Sequence, residues 1–440
     1  MMINTARSVA LKTLIKVLNN KSYSNITLNH NFEKADLSIA DQNLATKLVY
    51  GTIQYKLFLD YQLKDLIQTK ISEDYLYPLL LMSTYQLLKL DKIPDRAVLD
   101  EANKLAKQFG KKRSSGFRLV NGILRSLTRR GEVLPSEKNY ILYLSIKESF
   151  PKWIVEYFIK NFGKKRAASV LHSFNQSSKN SIRISNLTDQ EEVLTDLTKL
   201  GFKPEISHLG NNSVNLAHGG ISENDLFKEG RVTIQDEAAS LVVDAFDFSG
   251  DEIVLDACSA PGGKTIQMAE QVPAGKVWAL DIHENKLNLV RENALRMHVA
   301  DRIKTHAIDA RKAAEYFSKQ QFAKILVDAP CSGLGLMRRK PEIRYLKTYQ
   351  DILNLSKIQL SILNEVSKLV SVGGELVYST CTITVEEDEQ VVHKFLQLHP
   401  NFELCPFKTD KVAAKKGTLK ILPDEEGSDG FFIAKFRLRG

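Results

Sequence analysis

The chain of 440 residues is long enough for two or three domains with sizeable cores. It carries no basic-plus-apolar leader and no apolar run long enough to span a bilayer, so it is expected to be cytoplasmic with no membrane partner. The four cysteines, Cys258, Cys331, Cys381 and Cys405, form no Cys-x-x-Cys pair and have no histidine cluster beside them, which argues against a disulfide framework and against a metal site.

The net charge of +9 is unevenly placed: residues 1–135 hold 21 Lys and Arg against 12 Asp and Glu, and the remainder holds 40 of each. That division points to a first region that meets a polyanion and a second with a different task. From Ala6 to about Arg130 the apolar residues recur at helical spacing, as in Val9, Leu11, Leu14, Ile15, Val17 and Leu18. Strand signals are scarce there, so residues 1–135 are predicted to form an all-helical bundle. In its last segment, Lys111 to Arg130, cations lie before and along a helix whose Phe117, Leu119, Val120, Ile123 and Leu124 are expected to face the core while the cations face out.

The polar, proline-containing stretch Gly131 to Lys138 places a domain boundary near residue 135. Leu142 to Phe174 is again helical, with Pro151 at a helix start. Ser181 to Ser185, Asp189 to Leu200 and Phe202 to Ser207 are predicted as a strand, a helix and a strand, giving a small α+β linker domain over residues 136–229. From Glu229 a strand runs into a helix capped by Gln235 or Asp236. Beyond it strands at 253–255, 276–280, 303–307, 323–327, 375–379 and 430–438 alternate with helices at 265–271, 284–297, 310–318, 356–370 and 386–398. Such alternation predicts a parallel, doubly wound α/β domain over residues 230–440, with its ligand at the carboxyl ends of the strands.

The stretch Glu252 to Thr265 is the centre of that domain: an apolar run reaches Asp256 and breaks at Pro261-Gly262-Gly263. Without side chains, the two glycines let backbone approach a ligand closely. A phosphate-binding P-loop is excluded, because Cys258 stands where its first glycine belongs. Asp256, Asp281, Asp309, Asp328 and Cys381 close the strands. Asp281 lies where a dinucleotide fold places the acid for a ribose diol, and Asp309 is placed to accept from an adenine amino group. Together they specify an adenosine.

Asp256-Ala-Cys-Ser-Ala-Pro-Gly-Gly-Lys-Thr265, Asp328-Ala-Pro-Cys-Ser-Gly-Leu-Gly335, Tyr378-Ser-Thr-Cys-Thr-Ile383 and Gly427-Ser-Asp-Gly-Phe-Phe-Ile433 resemble the ordered motifs of the S-adenosylmethionine-dependent RNA cytosine-5 methyltransferases. The Lys111 to Arg130 segment resembles the end of a NusB-like RNA-binding domain. Over nearly its whole length the chain is therefore similar to the bacterial Fmu/Sun (RsmB-like) small-subunit rRNA methyltransferases. The resemblance implies a NusB-like domain, a linker and a Rossmann-like methyltransferase domain. It implies S-adenosyl-L-methionine as cofactor, wrapped by Cys258, Ser259, Ala260, Pro261, Gly262, Gly263 and Lys264, with its ribose on Asp281 and its adenine on Asp309.

It further implies methylation of a 16S rRNA cytosine, number 967, with Asp328 beside the reacting base. The chemistry needs a cysteine, because C5 becomes nucleophilic only after a thiolate adds to C6. A Pro-Cys context would select Cys331 and a Thr-Cys context Cys381; Ser-Thr-Cys-Thr matches the RNA enzymes, which assigns attack to Cys381 and product release to Cys331. Lys264 either assists a thiolate or Asp328 or lies against solvent. The run Met337-Arg-Arg-Lys-Pro341 is expected to contact RNA phosphate. The partner is expected to be RNA and not DNA, with the target unpaired or flipped out, and the enzyme a monomer. The alternatives are a tRNA or another rRNA site, or a non-catalytic RNA-binding or antitermination factor.

Overall fold

The computed structural model describes residues 4–20, 24–111, 115–318 and 320–440. The chain divides into two compact units, Met1–Asn175 with Arg339–Leu346 and Gln176–Arg338 with Lys347–Gly440.

Among the described residues of the first unit every regular element is a helix. The helix Leu76–Lys89 buries Leu79, Leu80, Leu81 and Met82 completely, so it is covered on every side and forms the centre of the bundle. In the helix Gly116–Arg130, Val120, Ile123, Leu124 and Leu127 are buried at helical spacing, while Arg118, Arg125 and Arg129 are exposed. Residues 112–114 of the predicted basic segment lie outside the described residues.

The compact unit does not end near residue 135, because the connector there is tied down. Fully buried Gln62 donates from Nε2 to Val133 O at 2.7 Å and accepts from Val133 N at 2.9 Å. The next helices, Tyr140–Lys147 and Lys152–Ser173, belong to the same unit: Ser149 Oγ accepts from Leu57 N at 3.0 Å, and Gln54 Nε2 donates to Asn175 O at 2.9 Å. The stretch Arg339–Leu346 also packs here. Arg344 is fully buried, its guanidinium 3.9 Å from the centre of the Phe150 ring and its Nη1 donating to Gln54 O (3.2 Å), Ser149 O (3.3 Å) and Asn175 Oδ1 (3.0 Å). Ser24 Oγ donates to Glu342 at 2.7 Å.

The second unit holds two sheets. The smaller comprises β1 (Asn180–Ile184), β2 (Pro204–Ile206), β3 (Ser213–Leu216) and β4 (Val232–Ile234), antiparallel in the order β2-β3-β1-β4. Two of these depart from expectation: β3 is a strand not predicted from the sequence, and β4, assigned above to the catalytic domain, pairs with β1 through Ile182 and Ile234. The helix after it, Glu237–Asp244, is capped by Asp236. Buried Arg183 of β1 pairs with buried Glu270 and donates to Gln235 Oε1 at 2.8 Å, which fastens the small sheet to the rest of the unit.

The larger sheet contains β5 (Ile253–Asp256), β6 (Lys276–Asp281), β7 (Ile303–Ala307), β8 (Phe322–Asp328), β9 (Val370–Thr380), β10 (Phe402–Leu404), β13 (Thr418–Ile421) and β14 (Phe431–Leu438); a separate ribbon is made of β11 (Phe407–Lys408) and β12 (Ala413–Ala414). Its order is β10-β14-β9-β8-β5-β6-β7, with β13 beside β14. Strands β5 to β9 are mutually parallel; the central ones contain apolar runs buried on both faces, such as Ile325-Leu-Val327, whereas β7 at the edge has no buried residue. The sheet is mixed rather than purely parallel: β14 runs antiparallel to β9, β10 and β13. The helix expected at 356–370 is Tyr349–Val366, opened by a Thr348/Asp351 capping box, and Val370 already begins β9. No helix among the described residues is long and apolar enough to cross a membrane.

Candidate active site

The carboxyl ends of β5, β6 and β8 deliver Asp256, Asp281 and Asp328 to one edge of the sheet. After β5 the backbone turns sharply: Ser259 N donates to Leu280 O at 2.7 Å, and Gly262 adopts φ +110°, a left-handed conformation that disfavours any residue with a Cβ. The helix Gly263–Gln271 starts there, and its Thr265 donates to Asp256 at 2.6 Å. Burial pushes the Asp256 carboxyl up; the Thr265 bond opposes this, the Asp328 charge adds to it, and the value reaches about 7.

A cavity of about 470 Å³ opens beside this turn, within the usual range for a small-molecule site. Its lining includes Cys258, Ala260, Asp281, Asp309, Asp328, Cys331 and Cys381, so strand-end residues from β5, β6, β8 and β9 and the Asp309 that follows β7 converge on one space. Asp281 Oδ1 accepts from His283 N at 2.8 Å, and among the described residues Oδ2 has no donor. Ile282, 59% exposed, and Ile308 add apolar walls. A carboxylate with a free oxygen next to apolar walls suits the ribose and ring of an adenosine, and this is the chemical fit the cavity offers S-adenosylmethionine. Asp309 is less free than the sequence suggests. Both its oxygens take the Arg311 guanidinium, at 2.6 to 3.1 Å, which holds its carboxyl below the usual range.

At the other end of the cavity Lys264 Nζ lies 2.7 Å from Asp328 Oδ2, and Ser379 Oγ donates to Oδ1 at 2.8 Å. Lys264 is therefore paired and does not lie against solvent; its ammonium also sits 5.1 Å from the centre of the Phe431 ring. Burial pulls its pKa down, but the Asp328 charge and hydrogen bond override that and leave it raised. The two thiols Cys331 and Cys381 stand 3.2 Å apart, Sγ to Sγ. Gly335 N donates to Cys381 O and Gly430 N to Gly335 O, each at 3.0 Å, so the third and fourth motifs clamp the loop that carries Cys331. A Cβ on Gly335 would lie 2.0 Å from Gly430 O, which excludes any larger residue.

Cys258 lines the cavity with its thiol pushed well up, by burial first and then by the surrounding carboxylates, so it remains a thiol. Cys405 lies elsewhere, its Sγ 3.6 Å from Pro406 O. The expected phosphate contact at 337–341 is narrowed: Met337 and Arg338 are buried, and Arg338 donates to Gly427 O and, at 3.0 Å, to Pro423 O, whereas Lys340 is exposed. Ser379, Ile282 and the wall formed by Leu355, Ile358 and Ile362 were not singled out from sequence. Only Ser379 carried a signal, standing two residues before Cys381 in its motif. Among the described residues no group of three or more His, Cys, Asp or Glu is arranged to hold a metal ion.

Comparison with known proteins agrees with this geometry. Residues 244–437 match the family model of the 16S rRNA methyltransferase RsmB/F, and residues 4–129 match the NusB family. The chain is 41% identical to the probable ribosomal RNA small subunit methyltransferase B of Bacillus subtilis, covering 99% of each. It is 32% identical to the protein of the same description in Synechocystis, over 98% of this chain and 99% of that one. The crystal structure of PH0851 superposes with a TM-score of 0.84 at 25% identity, covering 99% of both chains. The chain thus belongs to the RsmB/F family of rRNA methyltransferases, whose methyl donor is S-adenosylmethionine, and carries a NusB-family domain ahead of the catalytic one.

Proposed function

We propose that the enzyme methylates C5 of a cytosine in 16S rRNA, with position 967 as the site, through a covalent bond between Cys381 Sγ and C6. The observation that carries this reading is the pair of thiols 3.2 Å apart beside a lysine–aspartate pair. Addition of the Cys381 thiolate to C6 turns C5 into an enamine carbon. Bound S-adenosylmethionine supplies an electrophilic methyl group. Asp328, held by Lys264 and Ser379, passes a proton to cytosine N3 as addition places negative charge on the ring, and so stabilises the adduct. A base then removes the C5 proton, the C6–Sγ bond breaks and the ring double bond is restored, and Cys331 assists this elimination that frees Cys381.

In this scheme residues 258–264 and Asp281 hold the cofactor, with Asp309 at its adenine. The helical unit binds RNA through Arg118, Arg125 and Arg129, the small β1–β4 sheet adds RNA contacts, and DNA is not a substrate. The enzyme acts as a cytoplasmic monomer on an unpaired or flipped-out base, before the small subunit is fully assembled. Bisulfite sequencing of rRNA from a deletion strain tests the assignment. Loss of one 16S cytosine mark is the expected result; unchanged 16S rRNA would remove it, and loss in tRNA alone would move the substrate.

A further inference from the structure

Glu387 is fully buried behind the two thiols, and nothing in the chemistry above uses it. Ser332, the residue after Cys331, donates to it twice, from N to Oε1 at 2.7 Å and from Oγ to Oε2 at 2.6 Å. Thr384 Oγ1 donates to Oε2 at 2.8 Å and Gln359 Nε2 to Oε1 at 3.1 Å. One side chain therefore joins the Cys331 loop, the segment after Cys381 and the helix Tyr349–Val366. All four of these donors are neutral, so the carboxylate's field falls on the nearest ionisable groups.

Cys331 is such a group. Its thiol is pushed well above the ordinary value, first by the hydrogen bond with Cys381, then by burial, and then by the charges of Cys381 and Glu387. Lys264, in contrast, interacts favourably with a charge on Cys381. The other ionisable groups around the thiols are Asp328, paired with Lys264, Asp256, and Tyr378, whose hydroxyl donates to Glu387 O. Behind them Asp388 is bonded to Thr380 and lies 3.0 Å from Lys420. The adjacent thiols thus lie between a cation on the Cys381 side and an anion on the Cys331 side.

We infer that Glu387 is a positioning residue that keeps Cys331 protonated, so that Cys381 ionises first and loses its proton to solvent. The inference rests on the two-thiol reading proposed above, but its test needs no RNA. Glu387→Gln keeps an oxygen for Ser332 N and Gln359, and the two hydroxyls can rotate to accept from its amide, so the cradle survives while the charge is lost. Glu387→Ala removes both.

The experiment is site-resolved alkylation of the full-length enzyme by iodoacetamide over a pH series, read as initial rates by mass spectrometry. In the wild type Cys381 is expected to react at lower pH than Cys331. In Glu387→Gln the Cys331 midpoint is expected to fall by about one pH unit, giving roughly tenfold more thiolate at a fixed pH below it, with Cys381 moved less. A wild-type enzyme in which Cys331 reacts first, or together with Cys381, overturns the inference even if the variant does not fold. So does a folded Glu387→Gln enzyme with an unmoved Cys331 midpoint. Failure of the cytosine reading registers separately, in the bisulfite pattern.

Discussion

Lys264 and Asp328, placed by the glycine turn after β5 and by the end of β8, meet at 2.7 Å beside the cavity that Asp328 lines. Lys264→Met is expected to slow methyl transfer by about 10²–10³-fold, the loss seen when one preorganised charge is removed from a reacting centre. Cofactor affinity, measured by calorimetry, should change less than about tenfold over the same substitution. Equal losses in both would make Lys264 a cofactor ligand alone.

The thiols separate by their products. Cys381→Ser should neither transfer methyl nor form a protein–RNA adduct, whereas Cys331→Ser should attack, transfer and release slowly, accumulating a denaturant-resistant complex on gels. Accumulation in Cys381→Ser instead would reverse the two roles.

Asp256 makes stability depend on pH in a stated direction. An acid whose native value is about 7 and whose unfolded value is near the ordinary carboxyl range holds an extra proton in the native state between them. That proton favours the native state at the acid end of the window, and the advantage disappears as pH rises towards about 7. Asp256→Asn, which still accepts from Thr265, should therefore gain on the wild type by roughly 2–3 kcal/mol between about pH 5 and about pH 8. Urea unfolding at the two pH values checks this; a constant difference would show that Asp256 is not proton-linked to folding.

Neutralising Arg118, Arg125 and Arg129 together, as glutamines, should weaken RNA binding and reduce its salt dependence, by up to about 0.7–0.9 in slope for each RNA phosphate that no longer meets a cation. Cofactor binding should not change. An unaltered salt slope would show that this exposed face is only solvated.

The catalytic half of the fold was legible because its strands are short apolar runs that end at carboxylates and its glycine turn interrupts one of them. Strand direction at β14 was not, because its apolar residues would fit beside β9 running either way. Charged runs misled for a related reason. Arg338 lies in a cationic stretch that reads as solvated, yet its partners are carbonyls at Pro423 and Gly427. Glu386 to Glu389 reads as an acidic helix start, yet Glu387 and Asp388 are fully buried, bonded by hydroxyls of Ser332, Thr384 and Thr380, with Lys420 of β13 3.0 Å from Asp388. Cys331 and Cys381 were recognisable in their motifs, but their separation of 3.2 Å arises from the Gly335 and Glu387 hydrogen bonds that fold one loop on the other.

The stretch Arg339–Leu346 makes the helical unit discontinuous in the gene. A fragment ending at Asn175 would encode the bundle without Arg344, leaving the carbonyl of Ser149 and the amide of Asn175 without their buried guanidinium and a hollow over Phe150. Shortening it to residue 135 would also remove the helices that Leu57 and Gln54 hold. Recombination or grafting that moves this bundle between proteins therefore has to transfer two separated pieces of coding sequence, so the bundle and the catalytic loop next to that stretch are expected to be inherited together.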